Sequence, residues 1–240
     1  MKKILIPTKL DLIAKETLLA NGGYEVIQDE SIDLSTLAKK HSDAYALIVR
    51  SEKVTSDIID LFNKLKIIVR AGAGYNTIDI QYARSMGIDV MNTPGANANA
   101  VAEEVVALML ADSRNLIPAD ISCRAGKWEK KNFMGNEVTG KTVGIVGFGA
   151  IGQLVAKRLS GFNVTLLAYD PFLKVEKARE YDATPVDLEQ IFRDSDYISL
   201  HMPENDETRG IINKNLINLM KNGATLINCA RAGILDENDF

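Results

Sequence analysis

The sequence predicts an α/β protein built from two consecutive parallel-sheet units, and three observations carry that reading. Short β-rich apolar runs alternate with segments of helical spacing, the pattern of repeated βα units. A polar, small-residue stretch, Ala96-Asn97-Ala98-Asn99, follows Thr93-Pro94-Gly95 and separates two such series. The 240 residues are 46% hydrophobic and 25% charged, which suits one large or two ordinary domains and excludes a disordered, fibrous or membrane-embedded chain.

In the first series, strands are expected at 3–7, 24–28, 46–50, 67–71 and 89–92, with helices at 12–20, 34–41, 56–65 and 79–86 between them. Asn21-Gly22-Gly23 stops the first helix and Gly87 the last. Five strands and four helices before Pro94 predict a small, open, flavodoxin-like sheet. The second series opens on a long apolar helix at 101–116 that Pro118 ends or kinks. A polar stretch at 124–140 follows, then strands at 142–146, 165–169, 197–200 and 224–228. Asp187-Leu188-Glu189-Gln190 has the spacing of a capping box opening the helix before the third of these. The domains are therefore drawn at 1–98 and 99–240.

Charge narrows the partners. The 32 acidic and 28 basic residues give a net charge of -4 with no block of one sign, which points away from nucleic acid and from a polybasic membrane contact, and toward a small molecule. Cys123 and Cys229 lie far apart and outside any metal-ligand spacing. Met1-Lys2-Lys3 leads into only three apolar residues before Pro7, too few for a signal-peptide core, so a reduced cytoplasmic protein without a bound metal is expected.

The most informative stretch is Gly147-Phe148-Gly149-Ala150-Ile151-Gly152, a Gly-x-Gly-x-x-Gly placed between an apolar strand and a helix. In a Rossmann-type doubly wound sheet, Gly147 makes the tight turn, Gly149 lets a pyrophosphate approach the backbone, and Gly152 lets helix and strand pack closely. The amides of this loop, those of Ala150 and Ile151 among them, are then left to face the phosphates. Asp170 ends the next strand, where a carboxylate hydrogen-bonds the adenosine ribose. It opposes a 2′-phosphate, so NAD is expected over NADP. The alternative is a plain βαβ turn followed by a helix-capping aspartate.

Together with 90–94, 126–135 and 227–237, this stretch resembles the D-2-hydroxyacid dehydrogenase family, with the motifs in the expected order along essentially the whole chain. The likeness is strongest to the branch that oxidises 3-phosphoglycerate to 3-phosphohydroxypyruvate with NAD, the entry step of serine synthesis. Glyoxylate or hydroxypyruvate reductase and D-lactate dehydrogenase are the alternatives within the family. The resemblance implies that the 1–98 domain binds substrate and that Arg231, in Asn228-Cys229-Ala230-Arg231, holds the substrate carboxylate and polarises the reacting carbonyl. A guanidinium has the planar fork and the positive charge that these tasks need. By the same resemblance Cys229, Ala230 and Met202 border the cofactor, and Ala73 and Gly74 present backbone amides to the substrate. Arg50, Arg70 and Lys130 either supply charge to a substrate phosphate or are solvated surface charges. Ala73, Met202 and Ala232 stand where relatives commonly carry Thr, Thr and Gly.

Hydride transfer from a hydroxyl carbon also needs a proton acceptor, for which the family uses a His tuned by a Glu after the arginine motif. The chain ends at Phe240 before either and holds only His41 and His201. His41 reads as a solvated helix-end residue, and relatives carry a non-catalytic His at the position of His201. A fragment without its catalytic Glu and His is therefore expected. It would lack the last two strands of a six-stranded Rossmann sheet and leave strand 224–228 as an edge. The competing class is a catalytically silent NAD-binding or dimerisation module. The apolar helix at 101–116, with Val105, Val106, Leu108, Met109 and Leu110, and Trp128 beyond it, predicts a homodimer through the second domain. Its alternative is burial of that helix between the domains.

Overall fold

The computed structural model describes residues 1–239 and divides the chain into two units, Met1–Asn97 and the remainder from Ala98. The boundary falls one residue before the expected one because helix already begins at Ala98.

The first unit runs β1 (Lys2–Ile6), α1 (Leu12–Ala20), β2 (Tyr24–Gln28), α2 (Leu34–Lys40), β3 (Ala46–Val49), α3 (Ser56–Ile59), β4 (Ile67–Arg70), α4 (Ile80–Ser85) and β5 (Asp89–Asn92). Its strands are all parallel in the order β2-β1-β3-β4-β5, the flavodoxin-like arrangement. Aspartates start three of the helices: Asp11, Asp33 and Asp79 accept hydrogen bonds from the amides of Ile13, Thr36 and Tyr82. Strand alternation sends Leu5, Leu47, Val49 and Ile68 into one core and Ile4, Ile6 and Ala46 into another on the opposite face. The helix expected at 56–65 is a single turn. The amide of Asn63 donates to Ser42 O instead of continuing the helix, and Leu65 turns into the core.

The second unit runs α5 (Ala98–Ser113), α6 (Leu116–Arg124), β6 (Thr142–Val146), α7 (Ala150–Leu159), β7 (Thr165–Tyr169), α8 (Val175–Arg179), β8 (Ala183–Pro185), α9 (Leu188–Asp194), β9 (Tyr197–Leu200), α10 (Lys214–Ile217) and β10 (Thr225–Asn228). The helix expected at 101–116 starts earlier and ends before Pro118. Asn115 takes a left-handed conformation, and Pro118 lies in the first turn of α6, where a missing N–H costs nothing. β8 escaped the sequence reading because it is three residues long and ends in proline, which only an edge strand tolerates. With it the parallel order is β10-β9-β6-β7-β8, five positions of the six-stranded Rossmann order rather than four, with β10 at one edge. The capping box is half formed: Asp187 accepts from the Gln190 amide at 2.7 Å, but the Gln190 side chain turns to Asp194. Among the described residues no helix is long and apolar enough to cross a membrane.

Candidate cofactor and substrate site

In a doubly wound sheet the crevice opens where the strand order reverses, at the carboxyl ends of the strands. In the second unit that point lies between β6 and β9, and the glycine loop occupies it. Gly147 adopts φ +91°, and a Cβ there would lie 2.7 Å from the carbonyl carbon of His201 and 2.8 Å from Met202 N. A Cβ on Gly152 would lie 2.2 Å from Gly147 O, so helix α7 meets the turn at backbone contact. Gly149 is different. Nothing lies within 4 Å of a Cβ built on it, and as the N-cap of α7 it leaves the first-turn amides without a side-chain partner. The loop is thus shut on its protein side and open at the helix N-terminus, which is the cradle a pyrophosphate needs. Ala150 and Ile151 form the first turn of that helix.

Asp170 follows β7 and is half-buried. Its carboxylate accepts from Phe148 N and Phe172 N, both at 2.9 Å, which ties the glycine loop to the segment after β7 and still leaves lone pairs for ribose hydroxyls. Phe172, which sequence reasoning passed over, is 90% exposed. The signal was an aromatic two residues past the expected ribose carboxylate.

Arg231 lies past β10, at the same carboxyl end of the sheet as the glycine loop, and β10 is two strands from β6, roughly 10 Å at the usual strand spacing. It is exposed, and its guanidinium donates to Ala230 O at 2.7 Å. The Asn228 side chain braces this segment, accepting from Ala230 N and donating to Arg231 O. Ala230 and Cys229 are half-buried, and burial together with the nearby Glu104 carboxylate holds the Cys229 thiol up in pKa and protonated. Ala232 sits in a short 3₁₀ turn (Ala232–Ile234) that requires no positive φ, so its side chain is accommodated. Met202 follows β9: its side chain is buried with Val146, Leu167, Ile198 and Leu216, and its backbone N borders the glycine loop.

In the first unit, Arg50, Arg70, Ala73 and Gly74 gather beyond the carboxyl ends of β3 and β4. Arg50 is exposed. The Arg70 guanidinium is folded onto its own turn, with Nε donating to Arg50 O at 2.9 Å and Nη1 over Gly72. Ala73 O accepts from the Asn92 side chain. Glu52, also missed from sequence, accepts from Arg50 N at 2.8 Å and Ser51 N at 3.1 Å, near the β1/β3 reversal of this sheet. Burial pushes its carboxyl up, but the amides of Arg50, Glu52 and Ser51 and the Thr8 hydroxyl outweigh that and bring it below the usual range. Lys130, in the second unit, is exposed on a 3₁₀ turn.

Neither histidine is placed as a base. His41 caps the carboxyl end of α2. His201 pairs through Nε2 with Ser199 Oγ at 2.8 Å, its Nδ1 is buried without a partner among the described residues, and burial lowers its pKa to about 4.

A family model described as D-isomer specific 2-hydroxyacid dehydrogenase, NAD binding domain, matches residues 106–240. Over 98% of its length the chain is 44% identical to a hydroxypyruvate reductase of Thermotoga maritima, covering 76% of that protein. It is 38% and 40% identical to D-3-phosphoglycerate dehydrogenases of Sus scrofa and Archaeoglobus fulgidus, covering 44% and 45% of them, so it spans less than half of those relatives. Among solved structures it is similar to NAD-dependent formate dehydrogenase from Staphylococcus aureus in complex with NAD, with a TM-score of 0.85 at 30% identity over 100% of this chain and 76% of that one. It is also similar to the apo form of D-lactate dehydrogenase from Escherichia coli, with a TM-score of 0.86 at 28% identity over 100% and 77%.

Proposed function

This chain belongs to the D-isomer specific 2-hydroxyacid dehydrogenase family, and from that premise we propose that it takes part in the NAD-linked oxidation of 3-phosphoglycerate to 3-phosphohydroxypyruvate. The observation that carries the reading is the open glycine cradle at the same carboxyl end of the sheet as Arg231. NAD, when bound, supplies the hydride acceptor. The α7 amides meet its pyrophosphate, Asp170 takes the ribose hydroxyls, and Phe172 offers an apolar ring to the adenine. Arg231, turned from Ala230 O, binds the substrate carboxylate and stabilises the charge on the reacting oxygen. The backbone at Ala73 and Gly74 is assigned to the substrate and Arg50 to its phosphate, which Arg70 would join only by leaving Arg50 O and Gly72. We place the protein in the cytoplasm, in keeping with its unpaired Cys123 and Cys229.

The same step releases a proton, and the described residues offer no histidine placed to take it. General acid–base assistance is typically worth about 10²–10⁴-fold, so these 240 residues alone are expected to bind NAD and turn over negligibly. The assay is NADH absorbance with 3-phosphoglycerate at alkaline pH. Robust turnover would mean that another group serves as base. A second reading, reduction of hydroxypyruvate, is favoured by Glu52, whose carboxylate accepts from the Arg50 and Ser51 amides and so puts a negative charge past the end of β3, where a phosphate would be received. A strict requirement for the phosphate group in substrate binding decides between them.

Asp170 makes a further test. Losing a charged hydrogen-bond acceptor costs about 1.5–3 kcal/mol, so Asp170→Ala should weaken NAD at least tenfold and NADP much less. Equal affinities of the unaltered chain for the two cofactors, by calorimetry, would remove Asp170 from the site.

The chain is further proposed to dimerise through the second unit, by a surface that keeps Leu108 and Trp128 of the expected one. Val105 and Met109 are buried in that unit's core, and Val106 and Leu110 pack against it. Leu108 is exposed, and the apolar surface continues on α6 with Leu116, Ile117 and Ile121, then Trp128 and Met134. Light scattering at micromolar concentration should give twice the chain mass, and Ile117→Glu combined with Ile121→Glu should give a monomer.

A further inference from the structure

Glu204 is a carboxylate that the reading above leaves unused, and its setting is specific. Its side chain is 16% exposed and pairs with Arg209 at 2.6 Å. A Cβ built on Gly233 would lie 2.6 Å from Glu204 Oε1 and 2.9 Å from Oε2, so the carboxylate fills the space that a side chain at 233 would need. The segments that meet here are joined by backbone hydrogen bonds around one parallel bridge, Ile212 to Leu235: Gly210 N donates to Gly233 O at 2.9 Å, Ile212 N to Ile234 O at 3.1 Å, and Asp236 N to Ile212 O at 3.0 Å. Ile212 and Ile234 are fully buried beneath them. Arg231 begins the turn whose middle residue is Gly233. On its other side Asn228 holds Arg231 O and Ala230 N, so the backbone bearing Arg231 is clamped between Asn228 and the 204–212 segment.

We propose that Glu204, held by Arg209, is a positioning residue for Arg231: its carboxylate packs against Gly233 and sets the course of the backbone that carries the guanidinium. A methyl at 233 would push the carboxylate out of this place. The functional part of this inference rests on the proposed role of Arg231, whereas the contact itself does not.

The test uses the full chain saturated with NADH and titrated with oxamate, a non-reducible 2-oxo carboxylate. Glu204→Ala should weaken oxamate about tenfold, and should have no effect when Arg231 is already alanine. Gly233→Ala should weaken it similarly, because its methyl displaces the carboxylate from its place against the turn. Combining the two should restore affinity to within about threefold of the original, the methyl filling the space the carboxylate vacates; this matches recovery of about 1 kcal/mol or more, at about 1.4 kcal/mol per tenfold. NADH affinity should stay within twofold throughout. Without any ligand, hydrogen exchange of the Gly210 amide should accelerate about tenfold in Glu204→Ala while that of Leu226 in β10 is unchanged. Additive losses in the double variant, or unchanged Gly210 exchange, overturn the proposal. If the unaltered chain does not bind oxamate, the role given to Arg231 falls, and the exchange measurement alone decides the role of Glu204.

Discussion

Gly152→Ala is expected to abolish dinucleotide binding and to lower the melting temperature of the second unit by several degrees, whereas Gly149→Ala should abolish binding with no loss of stability. The difference lies in what each new methyl meets. At 152 it lies 2.2 Å from Gly147 O and 3.1 Å from Ile145 Cγ2, and neither atom can retreat. Gly147 N is bonded to Tyr169 O at 2.7 Å, and Ile145 is fully buried in the central strand. Overpacking of this kind costs about 1–3 kcal/mol, or roughly 2–10 °C for a unit of this size. At 149 the methyl meets nothing and φ is -75°, so the fold tolerates it, but it stands where the phosphates approach. Thermal unfolding and NADH fluorescence titration on both variants separate the two roles. Equal destabilisation by both substitutions, or retained NADH affinity in either, would break the assignment of the loop.

That contrast also marks what the sequence made legible. Both sheets could be read from alternation because a parallel strand buried on two faces is a short β-branched run bounded by turn residues, as in β6 and β9. The glycine spacing located the cradle because each glycine answers a different steric demand, and Asp170 followed from the length of one βαβ turn. β8 left no such signal, being short, partly polar and closed by Pro185. The helix break at Asn115 was misplaced onto Pro118 because proline also suits a first turn. Side-chain direction was the harder limit. Met202 borders the glycine loop by its backbone, but nothing in the local pattern showed that its side chain, just past β9, lies in the core. Arg70 lies where expected, but its guanidinium closes on its own turn. Glu52 was passed over although its contacts are local, with the amides one and two residues before it, whereas the Glu204 carboxylate meets Gly233, backbone brought from elsewhere in the fold that no local pattern encodes.

The partly buried His201, whose Nδ1 is enclosed without a partner among the described residues, makes the remaining large effect a pH dependence of stability. Above pH 6.5 the imidazole is neutral whether the chain is folded or not, and it contributes no slope. Below that value the unfolded chain takes up a proton that the folded one refuses until pH about 4, because burial penalises the charged ring. Stability therefore falls as the pH drops through this window, by about 1.4 kcal/mol per unit and about 3 kcal/mol in all. His201→Gln keeps a polar group for Ser199 Oγ and has nothing to titrate. Its urea-unfolding free energy should thus lose less between pH 7 and 4.5 than that of the unaltered chain, with the difference near zero at pH 7 apart from a constant offset. Parallel curves would show that the folded imidazole titrates normally. The same property bears on chemistry: a ring that stays neutral down to pH about 4 is too weak a base to draw a proton from a hydroxyl at neutral pH, so any inflection near pH 6.5 in turnover must come from another group.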